Sequence, residues 1–336
     1  MRRAAFASLI LILIPALASC HWLLPLKESA PDTDTASAAD SVPLDRGEAV
    51  LPRSDLMLDQ GFKGVLKCQL PQRVNDMVDK SGNELALIEP AMQADHNTLV
   101  ARCVSDSKLY HAIRTSTGFA VWKPWPGLSG REDPSFYERD GIEYAMVAYR
   151  ESPTVRVLQQ CTVGAGLACT KLTLTPAPPG TNWDGPDMRE QFFPWPFAEE
   201  VVFAAEEDGK APDLHLGSAS TPNPTSFQVT PLAALNTSAA EDDPAVTPEG
   251  LFLVFTSDRQ KIVSNGGQLD LWVAYRLLGL AYELVPSPEQ DLFQAVNSQE
   301  NDAAPDLVVT STGIELYFHS DRGGTDAIYR AACWLE

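Results

Sequence analysis

Positive charge is scarce in this sequence: 25 Lys and Arg stand against 45 Asp and Glu, a formal net charge of −20 over 336 residues. So acidic a surface repels phosphodiester backbones and anionic headgroups, which excludes nucleic acid as a partner and leaves no electrostatic route to a membrane. Histidine is scarcer still. The five, His21, His96, His111, His215 and His319, include no two at a chelating spacing, and neither HExxH nor a paired-cysteine set occurs. The sequence therefore names no metal site and no cofactor. A Gly-x-Ser-x-Gly elbow is missing too, and Gly164-Ala165-Gly166 lacks the phosphate-loop pattern, so no catalytic constellation stands out.

What is present starts at the N-terminus. Arg2 and Arg3 precede an apolar run over 6–14 and then Leu17-Ala18-Ser19-Cys20, the order of an export signal too short to span a bilayer. The Leu-Ala-Ser-Cys ending resembles the bacterial lipobox, which implies removal of residues 1–19 and a diacylglycerol on Cys20. His21 and Trp22 follow instead of an aspartate, which by resemblance to enterobacterial sorting implies the outer membrane, facing the periplasm or the cell surface. The expected membrane contact is through the lipid on Cys20. Residues 27–53 are rich in Ala, Ser, Asp, Thr and Pro and hold no aromatic residue. Such a stretch cannot bury enough apolar surface to offset its ordering entropy, so 20–58 reads as a flexible acidic tether. A coil of ~40 residues spans roughly 35 Å.

Residues 59–336 carry the folded domain. With 26 Pro, 21 Gly and 44% hydrophobic residues, short strands and turns around a sizeable core are expected, and self-comparison finds a repeat. Residues 242–259 read DDPAVTPEGLFLVFTSDR and residues 303–322 read AAPDLVVTSTGIELYFHSDR. Each runs from Pro to Gly (Gly250, Gly313), through an apolar strand, to Ser-Asp-Arg. Asp270-Leu271-Trp272-Val273 and Asp326-Ala327-Ile328-Tyr329 then open the next strand. The pattern resembles the WD-like repeat of TolB-type β-propellers, and this resemblance implies an all-β propeller with partners in the cell envelope. Weaker copies carry Asp133-Pro134 and Pro90-Ala91, while a degenerate one around 200–216 has its Pro and Gly markers displaced. Tyr110, Val157, Leu214, Trp272 and Tyr329 recur at intervals of 47 to 58 residues. Five four-stranded blades are expected, or six if 71–89 hides another unit.

The last unit ends after its third strand, so an N-terminal strand over 64–70 is expected to close it from outside. The cysteines follow the same register. Cys161 ends a third strand and Cys169 opens a fourth, as a hairpin disulfide. Cys333 lies 11 residues after Arg322, as Cys161 lies 11 after Arg150, which pairs Cys68 with Cys333 across the seam. Loop entropy gives ~2.6 kcal/mol for the hairpin bond and up to ~5.6 for the closure. Cys103 aligns with Phe318 as a small buried apolar residue.

Asp258, Asp321, Asp270 and Asp326 could supply acids at a channel mouth, since two carboxyls ~5–9 Å apart hydrolyse glycosides. They recur at blade positions, however, and a residue every blade needs is holding the blade, with Arg259 and Arg322 close enough to pair. Trp122, Trp125 and Trp195 lie beside prolines. Their bland role is packing between blades, and their functional one is an exposed anchor for a protein or a sugar ring. Residues 98–125 also faintly resemble tectonin-like, sugar-binding blades. The expected function is a lipid-anchored, non-enzymatic binding platform for an envelope protein, with a carbohydrate-binding propeller and a glycosidase-like propeller as alternatives.

Overall fold

The computed structural model describes residues 66–335 except 75–76, 126–127, 129, 153–154, 165–167, 176–181, 191–198, 207–210, 222–223, 248–249, 260–268, 277–280, 286–294 and 312. Residues 1–19, Cys20, the tether and Trp195 lie outside the described residues.

Five sheets are arranged around an axis. Blade 1 runs outward through Leu87–Met92, Thr98–Cys103, Leu109–Thr115 and the short Lys123–Pro124. Blade 2 follows as Arg131–Arg139, Ile142–Ser152, Val155–Thr162 and Ala168–Lys171. Blade 3 comprises Asn182–Glu190, Glu199–Glu206, Asp213–Ala219 and Ser226–Pro231, with Thr173–Thr175 added in parallel outside. Blade 4 comprises Glu241–Val246, Phe252–Ser257, Asp270–Tyr275 and Glu283–Leu284. Blade 5 takes Asp302–Thr310, Gly313–Ser320 and Ala327–Leu335 from the end of the chain and Leu66–Cys68 from its other end. The five first strands touch in one closed cycle.

The ring forms because each blade is apolar on both faces. Val201, Phe203 and Ala205 pack with Tyr137, Met146 and Leu158 of blade 2. The intervening Val202 and Ala204 pack with Val246, Leu253 and Phe255 of blade 4. Alternate side chains of one strand thus feed two cores, which is the strand period of two acting across a sandwiched sheet. The same geometry explains Phe252–Ser257, all six of whose residues are buried. No blade could bury both faces without two neighbours.

The closing strand sits where the repeat register puts it, and among the described residues it covers Leu66–Cys68. Leu66, Lys67 and Cys68 oppose Leu335, Trp334 and Cys333, and Cys68 is bonded to Cys333. Cys161 is bonded to Cys169 within blade 2. Among the described residues, 71–89 form no sixth sheet: Gln72–Arg73 pairs with the third strand of blade 5, and the Trp122 amide donates to the Val78 carbonyl at 3.0 Å. This stretch spans the seam between blades 5 and 1. Cys103 is free and buried, but it opposes Leu87 as Ser320 opposes Asp302. It is therefore the blade 1 counterpart of Ser320 rather than of Phe318.

Candidate functional site

Each first strand is an edge facing the axis, and each carries a residue followed by proline at the same place. They are Glu89-Pro90, Asp133-Pro134, Gly185-Pro186, Asp243-Pro244 and Ala304-Pro305. In every blade the ladder to the second strand shifts there, a bulge. Proline has no N–H to give to a ladder, so a bulged edge strand accommodates it and a central strand would not. The blade 3 Pro marker expected to be displaced is Pro186, at the common position.

The bulge turns the preceding residue left-handed. Glu89, Asp133, Asp243 and Ala304 have φ of 52°, 50°, 45° and 49°, which costs a non-glycine residue about 1–3 kcal/mol. An open cleft lies between them, lined by Glu89, Asp133, Asp243 and Asp306 with their neighbouring prolines. Each blade carries one acid at one of two positions on this edge: at the bulge in blades 1, 2 and 4, and two residues later in blades 3 (Asp187) and 5 (Asp306). The other position holds Ala91, Ser135, Gly185, Ala245 or Ala304.

Several of these carboxylates are tied to neighbours. Arg102 donates from Nε to Glu89 Oε2 at 2.6 Å and from Nη2 to Oε1. Burial opposes the charge on Arg102, but Glu89, with Asp133 and Glu132 close by, holds the guanidinium pKa above its ordinary value. Thr256 Oγ1 donates to Asp243 at 3.3 Å and accepts the Ala304 amide at 3.0 Å, linking blades 4 and 5. The Met92 amide donates to Asp306 at 2.8 Å, linking blades 1 and 5. Among the described residues, no three or more His, Cys, Asp or Glu side chains are grouped to hold a metal ion.

The residues singled out from sequence fall elsewhere. Asp258 accepts the Ala240 amide at 2.7 Å, and Asp321 accepts the Asn301 amide at 2.8 Å. Each fastens the approach to its own first strand. The arginine partner is one residue further on: Arg259 Nη2 donates to the fully buried Glu241 at 2.9 Å, and Arg322 pairs with the fully buried Asp302. Arg259 also lies over Phe255 and Trp272, and Arg322 over Phe318 and Tyr329. Asp270 is buried opposite Ser257, and Asp326 is half-buried.

Trp122 is not an exposed anchor. It has no accessible surface and packs in the core shared by blades 4, 5 and 1. Trp125 is partly buried, its ring 5.2 Å from that of Phe136 in blade 2. Both aromatics fill inter-blade space, as apolar residues beside blade edges must.

Three histidines lie in separate blades, His215 buried and His111 and His319 half-buried. His215 stacks on Phe203 at 5.6 Å, and His111 meets Trp125 edge-on at 6.3 Å. Burial pushes the pKa of His111, His215 and His319 below the ordinary value, against opposing charges such as Asp326 for His319. A depressed folded pKa means that the unfolded chain takes up protons first as pH falls below about 6.5, so stability is lost in that direction. Urea midpoints are expected to be lower at pH 5.5 than at pH 7.5, with a smaller gap in His319→Gln. An unchanged gap would show that this ring does not contribute.

No family model matches the sequence, and no curated protein matches it either. Solved structures do match. An endo-arabinase from Bacteroides thetaiotaomicron aligns with TM-score 0.54 at 10% identity, over 75% of this chain and 95% of that one. The catalytic domain of a GH62 α-L-arabinofuranosidase from Coprinopsis cinerea aligns with TM-score 0.52 at 10% identity, over 80% and 97%. A putative TolB from Agrobacterium tumefaciens aligns at TM-score 0.42 and 14% identity, over 76% and 78%. At such identities the likeness is one of architecture: the chain is an all-β, five-bladed propeller, built as the endo-arabinase and the arabinofuranosidase are built.

Proposed function

We propose that this chain is an exported protein, lipid-anchored at Cys20, whose axial cleft hydrolyses glycosidic bonds, with pentose-rich polysaccharide as the substrate class. The observation that carries the reading is the set of three acids, Glu89, Asp133 and Asp243, held left-handed on three blades and lining one open cleft. Backbone strain of this kind is retained where the surrounding structure over-determines it, and it concentrates at functional sites. Carboxyl groups on either side of a glycosidic oxygen supply the two things hydrolysis needs. One protonates the leaving oxygen, and the other acts as base or nucleophile and stabilises the positive charge that develops on the sugar ring. The fold shared with an endo-arabinase and an arabinofuranosidase supports the choice of sugar.

A second reading is a binding platform for an envelope glycan or protein. The bonds already made by Glu89, Asp243 and Asp306 favour it, since acids so engaged can accept sugar hydroxyls without turning a substrate over. One experiment separates the two. The mature domain is incubated with arabinan, xylan and a panel of 4-nitrophenyl pentosides, and released sugars are measured beside an Asp133→Asn variant. Product lost in the variant supports hydrolysis. Saturable binding of arabinan oligosaccharides in calorimetry without product supports the platform. Neither result leaves the cleft without a glycan role. Metabolic labelling with palmitate, absent in Cys20→Ala, checks the anchor in the same strain.

A further inference from the structure

We infer that Arg102 is a positioning residue for the axial cleft: its guanidinium fork fixes the Glu89 carboxylate and leaves proton donation to an acid on another blade. The inference rests on the hydrolase reading and assigns roles within it.

Arg102 lies in the second strand of blade 1, opposite Ile88, next to the bulge that carries Glu89. Two donors of one rigid plane meet two oxygens of one carboxylate, Nε with Oε2 at 2.6 Å and Nη2 with Oε1. Both side chains are largely withdrawn from water, 22% exposed for Arg102 and 12% for Glu89. A bidentate pair of this kind sets direction as well as distance. It matters here because Glu89 is a long side chain on a left-handed residue, and without the fork its carboxyl could swing through the cleft. With the fork closed, both Glu89 oxygens are acceptors. Held at both oxygens, Glu89 serves as the fixed carboxylate whose position Arg102 sets. The acid that protonates the leaving oxygen then comes from elsewhere on the rim, where Asp133, Asp243 and Asp306 stand. Lysine cannot reproduce this, being a point charge without the fork.

The test compares wild type with Arg102→Lys and Arg102→Met in hydrolysis of a 4-nitrophenyl pentoside from pH 4 to 9. A misplaced group costs on the order of 100-fold in rate, so Arg102→Met is expected to lower kcat about 100-fold and Arg102→Lys about 10-fold, with KM within about 2-fold. The loss should appear in kcat per folded molecule in both variants, with KM held. A kcat that falls only as the folded fraction falls would make Arg102 a merely structural residue. If Arg102→Met does not fold, Arg102→Lys carries the comparison. Absence of turnover in wild type would defeat the hydrolase reading. The clamp is then judged from the order of the Glu89 side chain by carbon-13 relaxation, which should show more motion in Arg102→Lys than in wild type; identical relaxation overturns it.

Discussion

Cys68→Ser is expected to lower the stability of the ring by up to about 5.6 kcal/mol, against about 2.6 kcal/mol for Cys161→Ser. The two bonds differ in what they close. Cys68–Cys333 spans 265 residues and Cys161–Cys169 spans 8. A cross-link acts mainly on the unfolded chain, and the entropy it removes grows with the logarithm of the loop. The native state adds a local reason. The strand that closes blade 5 has three residues, Leu66–Cys68. Beyond the ladder it is helped by the Gln69 amide on Ala332 and the Val74 amide on Ile328, at 2.8 and 2.9 Å. The seam keeps other ties, since Arg114 and Arg330 both reach Glu315, which also accepts the Tyr317 hydroxyl at 2.8 Å. The variant should therefore fold and unfold at lower urea. Equal losses in the two variants under non-reducing conditions would show that loop length is not the cause.

Asp133→Gly and Asp243→Gly are expected to abolish most turnover while leaving the fold as stable as wild type or more so. Both residues sit at φ near 50°, a conformation that costs a non-glycine residue about 1–3 kcal/mol and glycine nothing. Glycine returns about 0.5–1 kcal/mol of that through its freer unfolded chain, so the net gain is on the order of 1 kcal/mol. Loss of an acid or base that acts in the transition state costs about 10²–10⁴ in rate. The two effects have opposite signs only if the strain serves the cleft. Asp140→Gly supplies the control, because Asp140 has φ 51° in a hairpin turn of blade 2, outside the cleft lining. It should gain stability at unchanged turnover. Destabilisation by Asp133→Gly and Asp243→Gly, with Asp140→Gly stabilising, would show that the axial carboxylates hold the ring together instead.

Much of the scaffold was legible in the chain. The Ser-Asp-Arg repeat gave the blade register, and that register placed the outer strand of blade 5 and paired Cys68 with Cys333 by counting alone. This works because a strand has a fixed period, so that one reliable copy indexes every other. Cys103 shows the limit of counting: from the shared proline it falls level with Phe318, but the hairpin between Met92 and Leu99 in blade 1 is two residues shorter than that between Leu307 and Leu316 in blade 5, so it belongs with Ser320.

The site was hidden for a related reason. Pro90, Pro134, Pro244 and Pro305 were visible as repeat markers, and Asp133 stood beside one of them. The more conspicuous acids were those of Ser-Asp-Arg, which the structure spends on the amides of Ala240 and Asn301. Trp122 and Trp125 drew notice as aromatic anchors for the converse reason. Sequence gives the residue type, and burial decides whether a tryptophan is a surface feature or core.

By itself, then, the sequence determined what depends on local order: the repeat, the strand period, the blade count to within one, and the cysteine pairing. The tertiary structure decided what depends on closure. Five edges brought around one axis make neighbours of Glu89, Asp133, Asp243 and Asp306, which are far apart in the chain. No local pattern records that meeting, because it exists only once the last blade has taken its outer strand from the other end of the chain.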